Sequence, residues 1–525
     1  MKQRLLVLGL ILLALFLRLT HINMPSIGAH NLKENDYLSQ AQHQFREGFS
    51  LERSSHVLNA DGITALEEYP QPPILPTLIS TMWHLFGFGF WQARVVILIF
   101  SLLTIPLFFQ FSVFLLGSSL EVFLSTLWMC LLPASIFYGR NIQPEIPALC
   151  VALLALLIGL SIPKESKPAL KMSIAYGFLW SVVALFKPTF LVLLIPSLLM
   201  FEDLPKKIKR DRTTLVLGAA SFFFLPLLFL FFTHQSQWTL WKIGSVDRVD
   251  LTRLFHFGYW HDFAPMFYAQ LEMAFTLPML ILTLIGSGLC LFSLKHRLLK
   301  RFVVGTLFSF IPYMLLLSDY VIRHDYYWVP YLPWVCLCSA YALLWLRENA
   351  LIRLRWPLWK WVPLLIFFLT IPDIWHFKNE HFDTIYYGLD AAADYLKEYS
   401  SPKSKVWIVG GPQAYGVCFN ADRLCAPMPE VEENLKKFPD FQWIFVAAPH
   451  PNFKSQEQTD FVNKNFELKI FGEGPFMQNG RPIPCFYLYG RKDNAGWVKP
   501  QNKIPEVYRY QTTHGELLLR LERLQ

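Results

Sequence analysis

Charge is what this chain has least of. Only 16% of its 525 residues are Asp, Glu, Lys or Arg while 54% are hydrophobic, against about 25% charged in a typical soluble domain. A chain of this composition cannot solvate a globular surface, which excludes an ordinary soluble enzyme. A glycine-rich phosphate fingerprint is also missing. Gly410-Gly411 follows a strand-like run, but without further glycines it reads as a strand-end turn. No Cys-x-x-Cys pair or histidine cluster is present, so a structural zinc site has no ligand set. There is no internal repeat or low-complexity tract. The formal net charge of +8 implies no nucleic-acid partner, because the basic residues gather in short loops between apolar runs.

Those runs set the class: a polytopic α-helical membrane protein. Eleven apolar stretches lie near 4–20, 94–116, 120–138, 146–162, 171–186, 188–201, 213–233, 267–293, 302–318, 329–346 and 360–374, roughly of the length a bilayer requires, although 188–201 and 360–374 are short for a full crossing and Pro188 and Pro372 blur their edges. The first has Lys2 and Arg4 before it and Arg18 at its end, and no small-x-small cleavage site follows. It therefore reads as an uncleaved anchor with a cytoplasmic N-terminus rather than a signal peptide. Alternating spans put Lys164/Lys167, the run 206–210, the run 295–301 and Arg347/Arg353/Arg355 on the side of Lys2, as the positive-inside rule asks. Segment 72–90 is apolar enough to span, but counting it would invert every later loop, so it is expected to be interfacial or re-entrant.

Beyond about Trp375 the long apolar runs stop. Helical patterns at 384–399, 429–438 and 455–465 alternate with strand-like runs at 405–410, 442–448, 468–472 and 485–491, the pattern of a small α/β layer domain. Residues Glu516–Leu524 read as a short closing helix. Five of the eight cysteines lie in apolar spans, where a thiol acts as a small hydrophobe. Cys418 and Cys425 flank the turn-forming run FNADRL, which suits a hairpin disulfide in an oxidising compartment.

The stretch Asn31 to Pro73 carries two acidic clusters, Glu34/Asp36 and Glu67/Glu68. Tyr37, Ala41 and Phe45 between them have the spacing of an amphipathic helix that could lie flat on a membrane. Asp36 is then expected in its first turn, where the helix dipole favours the ionised form and a carboxylate could serve as general base. The same residues also suit a solvated connecting loop. On the same side as this loop fall Arg140-Asn141-Ile142-Gln143-Pro144-Glu145, Lys187-Pro188, Lys242/Arg248/Arg253 among tryptophans, and Arg323-His324-Asp325-Tyr326-Tyr327-Trp328. Taken singly, each is equally an aromatic belt with snorkelling cations. Together they supply a carboxylate base, cations that could hold a phosphate and aromatic surfaces for a sugar or isoprenoid.

The order of these features resembles the bacterial GT-C glycosyltransferases related to protein O-mannosyltransferases and to the aminoarabinose transferase of lipid A. The matching elements are Asp36 after the first span, Glu68-Tyr69-Pro70, Phe86-Gly87 with Ala93-Arg94, Arg140 through Glu145, and His324-Asp325-Tyr326-Tyr327. They cover roughly residues 1–345. Where many members have an adjacent Asp-Glu pair, Lys33-Glu34-Asn35-Asp36 stands here, so Glu34 stays open beside Asp36.

The resemblance implies a GT-C-like transmembrane domain, residues 1–375, with a catalytic first outer loop at 21–93. An extracytoplasmic α/β domain and tail then fill 376–525, on the outer face of a bacterial cytoplasmic membrane. It implies transfer of a sugar from a polyprenyl-phosphate donor to a hydroxyl of a protein, lipid or glycan acceptor, with inversion and no cofactor. Asp36 would be the base, with Glu68 or Glu34 assisting. Arg140, Lys187, Arg253 and Arg323 would hold the donor phosphate, while Glu145, Tyr69, His324, Tyr326 and Tyr327 contact substrate. No Asp-x-Asp pair of the kind that binds a divalent ion in oligosaccharyltransferases occurs in the first loop, so a metal-free site is expected. A transporter or flippase of lipid-linked intermediates is the competing class, but it would place its charges near the bilayer midplane. A structural protein built around the outer domain is the third.

Overall fold

The computed structural model describes residues 2–51, 54–59, 72–117, 119–162, 167–201, 212–233, 257–351, 361–430, 440–447 and 453–523. The chain forms two compact units. The first comprises Met1–Ile22, Tyr69–Leu75 and Arg94–Asn379, and the second Asn23–Glu68, Pro76–Ala93 and Glu380–Gln525.

Helices dominate the first unit, and in chain order the helices up to the sheet region are α1 (Lys2–Arg18), α2 (Asn31–Glu47, in the second unit), α3 (Ile74–Phe86, in the second unit from Pro76 on), α4 (Phe90–Leu116, in the first unit from Arg94 on), α5 (Ser119–Leu131), α6 (Pro133–Tyr138), α7 (Glu145–Ser161), α8 (Lys167–Phe186), α9 (Leu194–Met200), α10 (Arg212–Thr233), α11 (Phe257–Phe275), α12 (Leu277–Phe292), α13 (Arg297–Val321), α14 (Leu332–Trp345) and α15 (Val362–Asp383). Where two helices come closest, glycine allows it. A Cβ on Gly286 of α12 would fall onto the Cys338 carbonyl of α14, and one on Gly177 of α8 onto the Gly218 carbonyl of α10. Small residues at such crossings let backbones approach in a medium where hydrophobicity alone does not drive helices together.

Among the described residues three helices are long and apolar enough to cross a bilayer: Phe90–Leu116, Arg297–Leu317 and Asp325–Asn349. The bent pair Trp260–Phe275 and Leu277–Phe292 makes a fourth if it is one broken span, and six more apolar helices are 10–17 residues long. The eleven expected spans are thus more interrupted than the apolar runs suggested. Stretch 120–138 breaks at Leu132 because Pro133 restarts the chain as α6. Stretch 188–201 is a 3₁₀ turn, Pro188–Leu193, leading into the seven-residue α9. Stretch 267–293 bends by 92° at Thr276, whose φ of 70° no helix accommodates. Segment 72–90 contributes α3, whose 13 residues span about 20 Å, short of the ~30 Å hydrocarbon core.

The second unit is built on a seven-stranded mixed sheet of order β2-β1-β3-β5-β4-β7-β6. Its strands are β1 (Lys405–Val409), β2 (Leu424–Pro427), β3 (Phe441–Val446), β4 (Phe466–Gln478), β5 (Arg481–Arg491), β6 (Val507–Thr512) and β7 (Gly515–Arg523). β1 pairs in parallel with β2 and β3, and the remaining pairings are antiparallel. Side chains alternate across the sheet. Val406, Ile408, Trp443 and Phe445 pack with helix α16 (Leu389–Tyr399) and the short α17 (Gly416–Ala421). Trp407, Ile444 and Val446 pack with Val462 of α18 (Gln456–Asn465).

Residues 515–523 are a strand, not the expected closing helix. Leu, Glu and Arg are strong helix formers, but Leu519 and Leu521 are buried while Leu518, Arg520 and Glu522 are exposed, a two-residue period that fits a hairpin with β6. α17 and β2 appear where no element was expected, and the expected helix 429–438 lies almost entirely outside the described residues. Cys418 and Cys425 do form a disulfide, bridging α17 to β2 rather than closing a hairpin.

Candidate active site

In the first unit the polar groups gather around two breaks in the helices. The whole run from Leu132 to Cys150 is buried, including the α6–α7 connection, although connections normally run over the surface. Glu145 opens α7 and its carboxylate lies 2.9 Å from the Lys187 ammonium. Lys187 sits where α8 gives way to the 3₁₀ turn, 4% exposed, with its nitrogen 5.2 Å from the ring centre of Tyr326 and 5.5 Å from that of Tyr327. Aromatic faces and a carboxylate together stabilise an ammonium that water does not reach. These rings belong to the 3₁₀ turn Asp325–Tyr331, where His324 stacks on Tyr326 with centroids 5.0 Å apart.

Sequence reasoning missed Asp325, which is 1% exposed and accepts a 2.5 Å hydrogen bond from the Tyr138 hydroxyl. The signal was its place inside the His324–Tyr327 run. Arg140 and Arg94 are both buried and both donate to the carbonyl of His21, each at 3.2 Å; Arg94 also reaches that of Ile22 at 3.1 Å. Asn141 and Gln143 are buried with amide atoms that meet no partner among the described residues, a condition that commonly marks a place for water or ligand. Arg323, expected beside Arg140, is exposed at the end of α13. Arg253, Glu68 and Tyr69 lie outside the described residues.

In the second unit the acidic helix starts earlier than expected. α2 begins at Asn31, so Glu34 occupies its first turn and Asp36 the second. The argument from the helix dipole therefore passes to Glu34. That residue is 2% exposed, and its Oε2 accepts a 2.8 Å hydrogen bond from the Ser26 hydroxyl. Asp36 is half-buried. The face of α2 that is buried includes Asn31, Asn35, Ser39, Gln42 and Gln44 beside Leu38 and Ala41, and many of its contacts are polar. The Asn31 side chain donates to the Gln413 carbonyl at 3.0 Å, and Arg46 donates to both oxygens of Asp422 at 3.0 and 2.7 Å. Of the expected apolar residues, Ala41 is buried and Phe45 packs against Trp83, His84 and Phe88. The hydrogen bond to His56, followed by that to Arg46, holds the Asp422 carboxyl well below the usual carboxylate range. Among the described residues no three His, Cys, Asp or Glu side chains come together to hold a metal ion.

Residues 70–230 match the family model of dolichyl-phosphate-mannose-protein mannosyltransferases. No curated protein matches by sequence. Among solved structures, ArnT from Cupriavidus metallidurans in the apo state is similar with a TM-score of 0.55 at 13% identity, over 93% of this chain and 98% of that one. ArnT bound to undecaprenyl phosphate gives the same score and identity over 92% and 97%. The archaeal oligosaccharyltransferase AglB from Archaeoglobus fulgidus, in complex with an inhibitory peptide and a dolichol-phosphate, has a TM-score of 0.55 at 11% identity, over 95% of this chain and 74% of that one. The family model matches residues 70–230, and at 11–13% identity the likeness to ArnT and AglB, which runs along nearly the whole chain, is a likeness of fold.

Proposed function

We propose that this chain is a membrane glycosyltransferase that moves a sugar from a polyprenyl-phosphate donor to a hydroxyl of a protein, lipid A or cell-envelope glycan on the extracytoplasmic face. The observation that carries this reading is that Tyr138, Arg140, Glu145 and Lys187, buried polar residues of a largely apolar unit, all fall within the stretch matched by the mannosyltransferase model. The lipid phosphates in the ArnT and AglB structures favour a donor of the same class. The Cys418–Cys425 disulfide favours an oxidising compartment for the second unit.

The reaction is an in-line displacement. The acceptor oxygen bonds to the anomeric carbon as the bond from that carbon to the phosphate oxygen breaks, and the electron pair leaves with the phosphate. Asp36 takes the acceptor proton. It suits this role better than Glu34, whose carboxylate is enclosed and tied to Ser26. Arg140 and Lys187 face the negative charge that grows on the phosphate. Their fixed positions, on the His21 carbonyl and against Glu145, mean little reorganisation as that charge develops. Glu68 and Tyr69 are assigned to orienting the acceptor, Arg253 and Arg323 to the mouth, and His324, Tyr326 and Tyr327 to the donor.

The test uses the full chain in nanodiscs, given undecaprenyl-phosphoryl mannose or aminoarabinose with a cell-envelope extract. The expected result is release of undecaprenyl phosphate coupled to labelling of an acceptor. Asp36→Asn should lower that rate by about 10²–10⁴-fold while undecaprenyl phosphate still binds, and Glu34→Gln should instead lower thermal stability. Translocation of the intact lipid across proteoliposomes without phosphate release would replace this reading with a flippase.

A further inference from the structure

The disulfide-closed loop from Cys418 to Cys425 reaches α2 from two directions. At the N-terminal end, Asn420 donates to the Ser26 carbonyl at 3.2 Å. The Asn35 side chain donates to that same carbonyl at 3.3 Å, and the Ser26 hydroxyl holds Glu34. Toward the C-terminal end, Asp422 receives Arg46 through both oxygens, the Gln42 amide at 3.4 Å and the His56 imidazole at 3.2 Å. The other ring nitrogen of His56 is 2.8 Å from the Ser39 hydroxyl, which itself donates to the Asn35 carbonyl at 2.7 Å. Beside these side chains, backbone hydrogen bonds run from Cys425 to the His56 carbonyl at 2.8 Å and from Leu58 to the Cys425 carbonyl at 2.6 Å.

Local backbone geometry makes the loop a fixed mount. Asp422 has φ of 55° and ψ of 46°, a left-handed conformation that Asp tolerates better than most residues, and it ends α17 so that the carboxylate turns toward α2. Arg423, the next residue, is buried and donates to the carbonyls of Ala421, Asp422, Leu396, Lys397 and Ser400, tying the loop to α16. At the start of α17, a Cβ on Gly416 would crowd the amide groups of Asn31 and Asn35. The two ends of α2 are therefore referenced to one covalently closed loop rather than to separate surfaces.

We infer that Asp422 and the Cys418–Cys425 loop are a positioning device that sets the placement of α2, and with it the carboxylate of Asp36. This rests on the proposal that α2 supplies the general base. The loop residues are assigned no contact with substrate. Their contribution is to hold a helix whose own contacts are mostly polar, because a displacement of about 1 Å at a reacting group can lower a rate on the order of 10²-fold.

The experiment compares the wild-type chain with Asp422→Ala, Asp422→Glu and a Cys418→Ser/Cys425→Ser double variant, all full length in nanodiscs. Amide hydrogen exchange is followed in α2 and in strands β1 and β3, together with kcat and undecaprenyl phosphate affinity. Asp422→Ala and the double variant should speed exchange in α2 by tenfold or more while β1 and β3 stay protected. kcat should fall about ten- to a hundredfold with lipid affinity within a factor of two, and Asp422→Glu should recover part of both losses. Unchanged protection of α2, or equal loss in β1 and β3, overturns the inference. If the wild-type chain transfers no sugar from any donor, the functional proposal falls, and the exchange pattern alone decides whether the loop positions α2.

Discussion

The two units treat charge in opposite ways. In the first unit several charged groups are enclosed and matched one to one, as with Glu145 and Lys187, Tyr138 and Asp325, or Glu121 and Arg347 at 3.2 Å. In the second, pairs such as Lys454–Glu430 and Arg509–Glu516 sit in the open. Water competes for every exposed pair, whereas a buried ion has only its protein partners to replace its hydration shell. A pair in the first unit is thus nearly obligatory once one member is present, and a pair on the second is dispensable.

The largest test of that contrast is to break the buried pair. Lys187→Met strands the Glu145 carboxylate and should destabilise the chain by about 3–5 kcal/mol, seen as a lower unfolding midpoint in detergent. The double variant Lys187→Met/Glu145→Gln should recover much of that loss while remaining inactive. If single and double variants unfold alike, the pair does not carry the stability assigned to it.

A smaller effect is expected where the second unit encloses a charge of its own. Asp390 of α16 accepts a 2.6 Å hydrogen bond from the Tyr510 hydroxyl of β6, and burial pushes its carboxyl up to about 6 despite that bond. A folded-state pKa above the unfolded value means the folded form binds the proton more tightly. This carboxyl therefore favours folding most below about pH 4, and that contribution is lost as pH rises through 6. Asp390→Asn should raise stability at pH 8 by on the order of 1–3 kcal/mol and leave it nearly unchanged at pH 4, measured as unfolding midpoints across that range. The smallest effect belongs to the open pair. Arg509→Ala should change stability by less than about 1 kcal/mol, and a thermal shift as large as that of Lys187→Met would erase the distinction.

How much of this was legible in the sequence follows the same division. The apolar runs located most helices, and Arg140–Glu145 and His324–Tyr327 pointed to the buried polar region, because they fall on one side of the apolar runs and together supply cations, a carboxylate and aromatic rings. The disulfide was legible from the turn formers between its cysteines. The breaks at Pro133 and Thr276 were not, since apolar composition is blind to where a helix bends, whereas the short stretch after Pro188 already hinted at one. Composition also favoured a helix for residues 515–523, where pairing with β6 decided otherwise. Arg323 carried the same chemistry as Arg140 but ended exposed, a difference set by tertiary position alone. Locating the start of α2 five residues before Asp36 required the helix boundary, which pattern reading places least well.

Arg18 shows what enclosure demands of biogenesis. Among the described residues its guanidinium is hydrogen-bonded to hydroxyls and carbonyls rather than to a carboxylate. It donates to Ser101 in α4, to the carbonyls of Ala14 and Cys130, and to both oxygens of Ser135, just past the break between α5 and α6. When α1 first leaves the ribosome, only the Ala14 carbonyl is within reach, and an arginine at that stage must keep its head at the membrane surface. α1 is thus fully seated only after α4 through α6 have followed it, when this charge can leave the water.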